Sequence, residues 1–591
     1  MAKKSKKHKK NKTQAAIRTN QQSLKTESLK SDEKAVMVET TEPAPHKRCF
    51  DPWVIPAVLI LLGLELFFWR NIIFTDNMLG DLGDGRFTAL ITEHWWQFLC
   101  GRERFGSIPI FYPNQTALGY SDLHLGFGVF HSLFRLLGMD LYLAFKWSVF
   151  ALHLLGLLSM FYMLRRTLGL GNVWSVFGTV AFSHCCALSA VSLHPQLFAA
   201  GMLPLLFIFY AGFVRNFEQR KKRNLYAYLT LFWFAFLTYT SWYMACFTGI
   251  FCLVFMIGYL FMMKGSKPGV SKRIGSWLST IGLDILGYIV FFIVLYIPFM
   301  SVYIPVIREG SLYSYSGYYL PDPVDLINVT ESNAMFGWLM RMLKMSARGR
   351  DHEVAEGFSL IALVMFLIVV INMFSQRGKR EKMDLVLPKT TAVSVLVCLL
   401  LMIRWDGADG SLWAVVYAVL PPAKAVHAVA RFLLWLCFPM SAVTAYWADK
   451  MPVFQGKRKG LAFSCLIVGL MALSTIRTGG MMTLFTHNDR VAFMEDVSEA
   501  PQDAQSFYIV DSAMAGEDQY IYQLDAWEVA EKTGIPTLNG YSGHYPAGWG
   551  VWDVCGENYE AYAAYWAQQY GLEKVYAYDR ATNSWSARLP Q

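Results

Sequence analysis

The sequence predicts a membrane α-helical fold, with about eleven transmembrane helices, a long first outer loop and a small C-terminal extracytoplasmic α+β domain. Of the 591 residues, 54% are hydrophobic and only 16% are charged, whereas about a quarter of the residues of a typical soluble protein are charged. Apolar segments of the kind that cross a hydrocarbon core of about 30 Å recur along the chain. They lie near 53–74, 141–164, 173–190, 194–214, 225–240, 242–263, 277–301, 357–375, 388–405, 428–447 and 460–476.

The basic residues predict how these segments are oriented. Outside the N-terminal tail, they concentrate in five short loops, at 165–166, 215–223, 264–273, 377–382 and 450–459. With eleven spans and a cytoplasmic N-terminus, all five loops fall on the cytoplasmic face, as the positive-inside rule requires. The long, poorly basic segments 75–140, 302–356 and 477–591 then lie outside, and the C-terminus is extracytoplasmic.

Three regions follow from composition. Residues 1–50 are rich in Lys, Ser, Thr and Glu, and are predicted to be a disordered basic cytoplasmic tail that contacts membrane lipids. Residues 51–480 form the polytopic transmembrane domain, and residues 487–591 form the outer α+β domain, with strand patterns SFYIVDSAM and LEKVYAYDR around the helix pattern DQYIYQLDAWEVAEKTG. The formal charge of +9 lies mostly in the tail and short loops, so no nucleic-acid partner is expected.

The predicted first outer loop contains the polar residues that most clearly suggest a functional site. In GDLGDGR, Asp81 and Asp84 lie just past the first span and therefore near the outer membrane surface. Such carboxylates act as a general base or bind a hard divalent cation such as Mg²⁺ or Mn²⁺. Arg86 would help to keep Asp84 ionised. The alternative is an Asp/Gly-rich turn in which Asp caps backbone amides.

Two further pairs also lie on the predicted outer side. Asp122 and His124 follow in YSDLHLG, and are close enough in sequence to approach one substrate or metal. His194 and Gln196 open the fourth span in LHPQLF. The plainer interpretations are a polar loop for the first pair and an interfacial anchor for the second.

A basic cluster lies in PPAKAVHAVARF. If this segment is helical, Lys424, His427 and Arg431 are spaced i, i+3 and i+7 and share one face. Cations at membrane depth are costly unless they are paired or face a polar cavity, so the cluster favours an anionic phosphate or diphosphate ligand. Snorkelling of the side chains to the interface is the alternative.

The sequence contains no Walker A motif, dinucleotide-binding fingerprint, Cys/His zinc spacing or G-x-S-x-G elbow. A mechanism that uses a soluble nucleotide therefore has no support.

Taken together, GDLGDGR, YSDLHLG, LHPQLFAAGMLPL, TYTSWYMA, PPAKAVHAVARF and NGYSGHYP resemble the GT-C superfamily of membrane glycosyltransferases, and within it the bacterial YfhO-like group. The resemblance covers about residues 51–590 and makes 51–480 the glycosyltransferase-like domain. It departs from the family in one respect: the acids of the family motif are usually one residue apart, whereas two residues separate Asp81 from Asp84.

The resemblance implies a location and a chemistry. The protein would lie in a bacterial cytoplasmic (inner) membrane and transfer a hexose or pentose, with inversion, from a polyprenyl-phosphate donor to a cell-envelope glycan or lipid acceptor. Asp81 or Asp84 would deprotonate the acceptor or hold a divalent cation. Asp81 is slightly favoured as the base because it is the leading acid of the motif. Lys424, His427 and Arg431 would hold the lipid phosphate, and Asp122, His124, His194 and Gln196 would bind substrate.

The outer domain has its own expected role. Its aromatic stretch NGYSGHYPAGWGVW offers flat faces on which sugar rings stack, so the domain is expected to recognise the acceptor and to hold no catalytic base. Two rival functions share the same membrane setting: a lipid-linked sugar flippase or exporter, and a polymerase of envelope polysaccharide.

Overall fold

The computed structural model describes residues 51–190, 192–263, 270–310, 313–346, 357–376, 385–405, 410–456, 458–587 and 589. The predicted disordered tail, 1–50, lies outside the described residues. Within the described part, the chain from Ala57 to its C-terminal end forms one compact unit.

A helix lies at each of the eleven positions at which the sequence predicts a span. These helices are α1 (Val54–Phe68), α4 (Leu141–Tyr162), α5 (Asn172–Ser183), α6 (Leu203–Arg215), α7 (Arg220–Thr240), α8 (Trp242–Met263), α9 (Val270–Arg308), α10 (Leu360–Ser375), α11 (Val386–Met402), α12 (Phe432–Ala448) and α13 (Arg458–Ser474). Six stretches of the described chain are long and apolar enough to cross a membrane: 141–167, 172–190, 195–215, 242–262, 280–308 and 429–448. The chain is therefore a multi-pass membrane protein, and the count of eleven stays a prediction.

The segment between α1 and α4 contains two amphipathic helices, α2 (Asp84–Leu99) and α3 (Leu125–Leu136). Most of α2 is buried, including the fully buried Arg86. The helix therefore lies inside the protein with its first turn at the motif GDLGDGR.

The C-terminal region contains the two strands and the helix that its patterns predict, together with two helices and a strand that they do not. The elements are α14 (His487–Asp496), β1 (Ser506–Val510), α15 (Gln519–Thr533), α16 (Tyr559–Gln569), β2 (Val575–Asp579) and β3 (Ser584–Ala587). β1 pairs with β2 in parallel, and β2 pairs with β3 antiparallel. α15 ends where Gly534 takes a left-handed conformation, which glycine adopts without steric cost. The division into two domains at about 480–487 stays a prediction.

A buried ion network joins α2 to α15. Arg86 donates to Asp525 and to Glu528, at 2.9 Å for the latter, and all three side chains are fully buried. Arg490 of α14 binds the same two carboxylates. The expectation that Arg86 keeps Asp84 ionised is therefore wrong: its guanidinium belongs to this network.

Candidate active site

Asp81 binds the first turn of α2. Its Oδ1 accepts the N–H groups of Gly83 at 3.0 Å and Gly85 at 3.2 Å, which is the capping role that an Asp/Gly-rich turn suggests. The turn needs glycine, because Gly80 has a φ of +101° and a Cβ there would lie 2.6 Å from the Cα of Gly85. Burial, and then the charge of Asp84, raise the pKa of Asp81 above its ordinary value.

Asp84, the first residue of α2, is held by side chains from distant segments. Its Oδ2 accepts from Nδ1 of His194 and from Nε2 of Gln196 at 3.3 Å. Its Oδ1 lies 3.4 Å from the hydroxyl of Tyr541. The side chain is 23% exposed, so a ligand can still reach it. Burial raises the pKa of Asp84, but His194 and Arg431 outweigh burial and leave the pKa below its ordinary value.

His194 and Gln196 reach Asp84 because they stand at the start of a 3₁₀ segment, Pro195–Met202. Oγ1 of Thr88, one turn along α2, donates to Oε1 of Gln196 at 3.3 Å. The structure thus brings the Asp84 motif and the His194 motif, which the sequence leaves as separate clusters, into one site.

Asp122 and His124 lie beside this site, in different surroundings. The carboxylate of Asp122 accepts the N–H of Trp242 at 3.1 Å, and burial raises its pKa to about 6. His124 is almost fully buried. Burial lowers its pKa to about 3 against the opposing charge of Asp84. His124 is therefore a neutral imidazole near Asp84.

Arg431 brings a permanent positive charge to the site. It is 8% exposed, its guanidinium lies 5.0 Å from the ring centre of Tyr243, and its charge lowers the pKa of both Asp84 and Asp122. Arg431 therefore lies within electrostatic reach of two candidate acids.

The prediction that Lys424, His427 and Arg431 share one helical face is wrong. The segment forms two short 3₁₀ turns, Pro421–Ala425 and Val429–Arg431, with extended backbone between them. The N–H groups of His427 and Ala428 donate to the hydroxyl of Tyr243, at 3.0 and 3.2 Å. They therefore do not make the backbone hydrogen bonds of a helix.

The other two basic residues of that segment join an aromatic surface. Nζ of Lys424 lies 5.7 Å from the ring centre of Tyr417. The imidazole of His427 stacks on Tyr313, with ring centres 4.5 Å apart and planes 7° apart. Tyr313 also contacts His544 of the NGYSGHYP motif, at 4.4 Å.

Tyr541 is a site residue that sequence reasoning did not single out. The motif NGYSGHYP attracted attention for its aromatic rings, and Tyr541 also contacts Phe87 of α2 edge-on at 5.4 Å. Its pairing with Asp84 spans 457 positions of sequence, and no local pattern signals a contact across that separation.

The two acids of the motif fit a divalent cation in part. No group of three or more His, Cys, Asp or Glu side chains in the described residues is arranged to hold a metal ion. Mg²⁺, however, is commonly bound by one or two carboxylates, with substrate phosphate and water completing its shell. The mutual repulsion of Asp81 and Asp84, which raises the pKa of Asp81, is the kind of imbalance that a bound cation relieves.

Comparison with known proteins finds no matching family model and no matching curated protein. Among solved structures, the chain is similar to arabinofuranosyltransferase AftD from Mycobacteria, with 14% identity, a TM-score of 0.44, and coverage of 83% of this chain and 32% of that one. It is similar to ArnT from Cupriavidus metallidurans bound to undecaprenyl phosphate, with 13% identity, a TM-score of 0.37, and coverage of 82% and 85%. It is also similar to the Archaeoglobus fulgidus oligosaccharyltransferase in complex with Zn and sulfate, with 12% identity, a TM-score of 0.41, and coverage of 88% and 67%.

The chain thus spans about a third of the length of AftD. At such identities and TM-scores these similarities decide neither the family nor the activity of the chain.

Proposed function

We propose that this chain is an integral-membrane glycosyltransferase of the GT-C type, related to the bacterial YfhO-like group. It moves a sugar from a polyprenyl-phosphate donor to a cell-envelope glycan or lipid acceptor, on the outer face of the bacterial cytoplasmic membrane. The observation that carries the proposal is the setting of Asp84, a partly exposed carboxylate that is oriented by His194 and Gln196 and lies within electrostatic reach of Arg431.

This setting suits an inverting glycosyl transfer. Asp84 accepts the proton of the acceptor hydroxyl as that oxygen bonds to the anomeric carbon. The bond from this carbon to the phosphate oxygen breaks, and polyprenyl phosphate leaves with the electron pair. Arg431 favours the negative charge that grows on the phosphate, which is where a fixed cation lowers the barrier most.

We assign the base to Asp84 and a supporting role to Asp81. Asp81 accepts hydrogen bonds from the backbone of its own turn, whereas Asp84 is oriented by side chains from distant segments. The pKa of Asp81 is raised and that of Asp84 is lowered, so Asp84 is the acid that is more readily ionised, as a base or a metal ligand must be. Asp81 and Asp84 would hold a divalent cation, if one is used, and that ion would offset the charge of the donor phosphate.

The aromatic stretch of the C-terminal region would bind the acceptor. Tyr541 contacts Asp84 and stacks against Trp552, with ring centres 6.3 Å apart and planes 25° apart. Tyr545, 37% exposed, lies 5.6 Å from the same tryptophan. Aromatic faces beside the catalytic carboxylate suit a sugar ring whose hydroxyl is to be deprotonated.

The test is transfer from radiolabelled polyprenyl-phosphate sugars by the purified protein, with and without EDTA. Asp84→Asn keeps the shape of the side chain and removes its charge, and should lower turnover by about 10²-fold or more. Asp81→Asn should cost less, because Asn still accepts the amide hydrogen bonds of the turn.

The matched control is Asp76→Asn, in the same loop, whose carboxylate is 39% exposed and which should transfer sugar normally. Near wild-type transfer by Asp84→Asn would overturn the assignment of the base, and near wild-type transfer by Asp81→Asn as well would overturn the proposed enzyme. Reconstituted vesicles would then be assayed for movement of the lipid-linked sugar across the bilayer, the activity of a flippase.

A further inference from the structure

A line of aromatic rings leads away from Asp84 across the C-terminal region. Tyr541, whose hydroxyl lies 3.4 Å from Oδ1 of Asp84, is followed by Trp552, with ring centres 6.3 Å apart. Tyr545 comes next, 5.6 Å from Trp552. It stacks on Trp549, with ring centres 5.1 Å apart and planes 3° apart. Each ring is therefore in the neighbourhood of the next, beginning at the candidate base.

Helix α16 continues this line. A Cβ at Gly550 would lie 2.9 Å from Cδ1 of Tyr562, so the ring of Tyr562 lies over the backbone that follows Trp549. Tyr565 is three residues farther along α16, and side chains at i and i+3 are neighbours on a helix surface. Tyr545, Tyr562 and Tyr565 are 37%, 51% and 61% exposed, so the rings become more open with distance from Asp84. We call this set the ring line: Tyr541, Trp552, Tyr545, Trp549, Tyr562 and Tyr565.

The chain that carries the ring line has only negative formal charges. Between Lys532 and Lys574 it contains no Lys or Arg. Its charged residues there are all exposed acids: Asp553, Glu557, Glu560 and Glu573. Helices that lie on an anionic membrane carry Lys or Arg on their polar face, so α16 does not suit such a surface. The same acids repel a glycan that carries phosphate or uronate groups.

We propose that the ring line binds an uncharged glycan chain several sugars long, and that the acceptor of the proposed transfer is such a chain rather than a lipid. The end of the chain that receives the new sugar lies at Tyr541, beside Asp84, and the sugars before it stack along the line as far as Tyr565. Aromatic rings offer a flat apolar face, and tyrosine adds a polar edge that hydrogen-bonds hydroxyl groups. The inference rests on the proposed function for the reaction at Asp84, whereas binding of the chain requires no donor.

The experiment measures the binding of oligosaccharides to the purified full-length protein in phosphatidylcholine nanodiscs, without donor. The probes are gluco-, manno-, galacto- and arabino-oligosaccharides, each from disaccharide to hexasaccharide, on a glycan array. In at least one of these neutral series the affinity should rise with chain length, because each added sugar reaches another ring. Chains of the same length that carry phosphate or uronate should bind more weakly.

Variants of α16 test the far end of the ring line. Tyr562→Ala and Tyr565→Ala should each weaken binding of the hexasaccharide about tenfold, since each removes one stacking contact. Both should weaken binding of the disaccharide much less. Tyr562→Phe keeps the ring and should restore most of the affinity. Tyr576→Ala is the matched control, because Tyr576 lies in β2 of the same region and outside the ring line.

Two further measurements separate the explanations. Transfer of labelled sugar is assayed independently, so failure of the proposed function is distinguishable from failure of glycan binding. The melting temperature of each variant reports its folding. Tyr565→Cys in nanodiscs should react with a membrane-impermeant maleimide above the level of the wild-type chain, and the hexasaccharide should slow this reaction.

Three outcomes would overturn the proposal. One is a lack of binding by every neutral series, or an affinity that does not rise with chain length. Another is stronger binding of the anionic chains than of neutral chains of the same length. The third is no reaction of Tyr565→Cys in nanodiscs, which would mean that lipid covers this face of α16.

Discussion

Asp84 and Arg86 lie two residues apart at the start of α2, and their surroundings are opposite. Arg86 is completely buried between two carboxylates that are also fully buried. Arg490 pairs with both carboxylates, and Arg580 pairs with Asp525. Asp84 keeps 23% of its side-chain exposure and shares its surroundings with a histidine, an amide, a phenol and Arg431. Buried charges that neutralise one another, as around Arg86, indicate a structural role. A partly exposed carboxylate that its neighbours hold in one orientation, as at Asp84, indicates a catalytic role.

The comparison is tested most strongly at Arg86. Arg86→Gln would leave Asp525 and Glu528 buried with one cation fewer, and breaking a buried ion pair from one side costs about 3–5 kcal/mol. We expect a large fall in melting temperature in detergent and little correctly folded protein. Arg104→Gln is the control, since Arg104 is exposed in the same loop and its side chain, among the described residues, donates to Gln115 at 3.4 Å. A variant of Arg86 that melts like wild type would mean that the network does not hold α2.

The other half of the comparison, the partly exposed site around Asp84, is tested at Arg431. Arg431→Gln should raise the KM for the lipid-linked donor about tenfold, because it removes a charged contact to phosphate that exists before the reaction. The loss should appear in kcat as well if the contact strengthens in the transition state. Lys424→Gln, in the same segment but over the ring of Tyr417, should change the KM less. Equal effects on the KM at both positions would mean that Lys424 and Arg431 bind the phosphate together.

The smallest expected effect concerns Asp122. Burial raises its pKa to about 6, above the value of about 3.9 in an unfolded chain. Between these two pKa values, Asp122 keeps its proton in the folded state but has lost it in the unfolded state. The stability that this proton contributes therefore falls as pH rises and is fully lost above about pH 6. Asp122→Asn cannot ionise, so its melting temperature relative to wild type should be higher at pH 8 than at pH 5. If the difference in melting temperature between Asp122→Asn and wild type does not change with pH, the raised pKa of Asp122 is contradicted.

Local patterns predicted the helices well, because each apolar segment needs only its own backbone hydrogen bonds to form a helix. The strands at Ser506–Val510 and Val575–Asp579 were predicted for a similar reason, since short apolar runs bounded by turn residues are typical of buried strands. The acidic motif was also found from sequence, because two aspartates among glycines at the end of a span stand out.

What local patterns could not predict is which partners each polar group finds. The helical interpretation of KAVHAVARF failed because the hydroxyl of Tyr243 and the carbonyl oxygen of Tyr319 take backbone N–H groups that a helix would use. Arg86 was assigned to Asp84 because the two are neighbours in sequence, yet its partners lie 439 and 442 residues away.

Those separations set the order in which the site is completed during synthesis. Arg86 is made long before the carboxylates it binds, 439 and 442 residues later, and Tyr541 follows Asp84 by 457. Contacts of such high sequence separation form late and slow the folding of a chain. Until α15 and Tyr541 have been translated, Asp84 lacks its contact with the Tyr541 hydroxyl, and α2 lacks the ion pairs that join Arg86 to α15. A nascent chain or a fragment that ends before Tyr541 would therefore carry the acidic motif without these partners, and the proposed transfer would require that α15 and Tyr541 have been made.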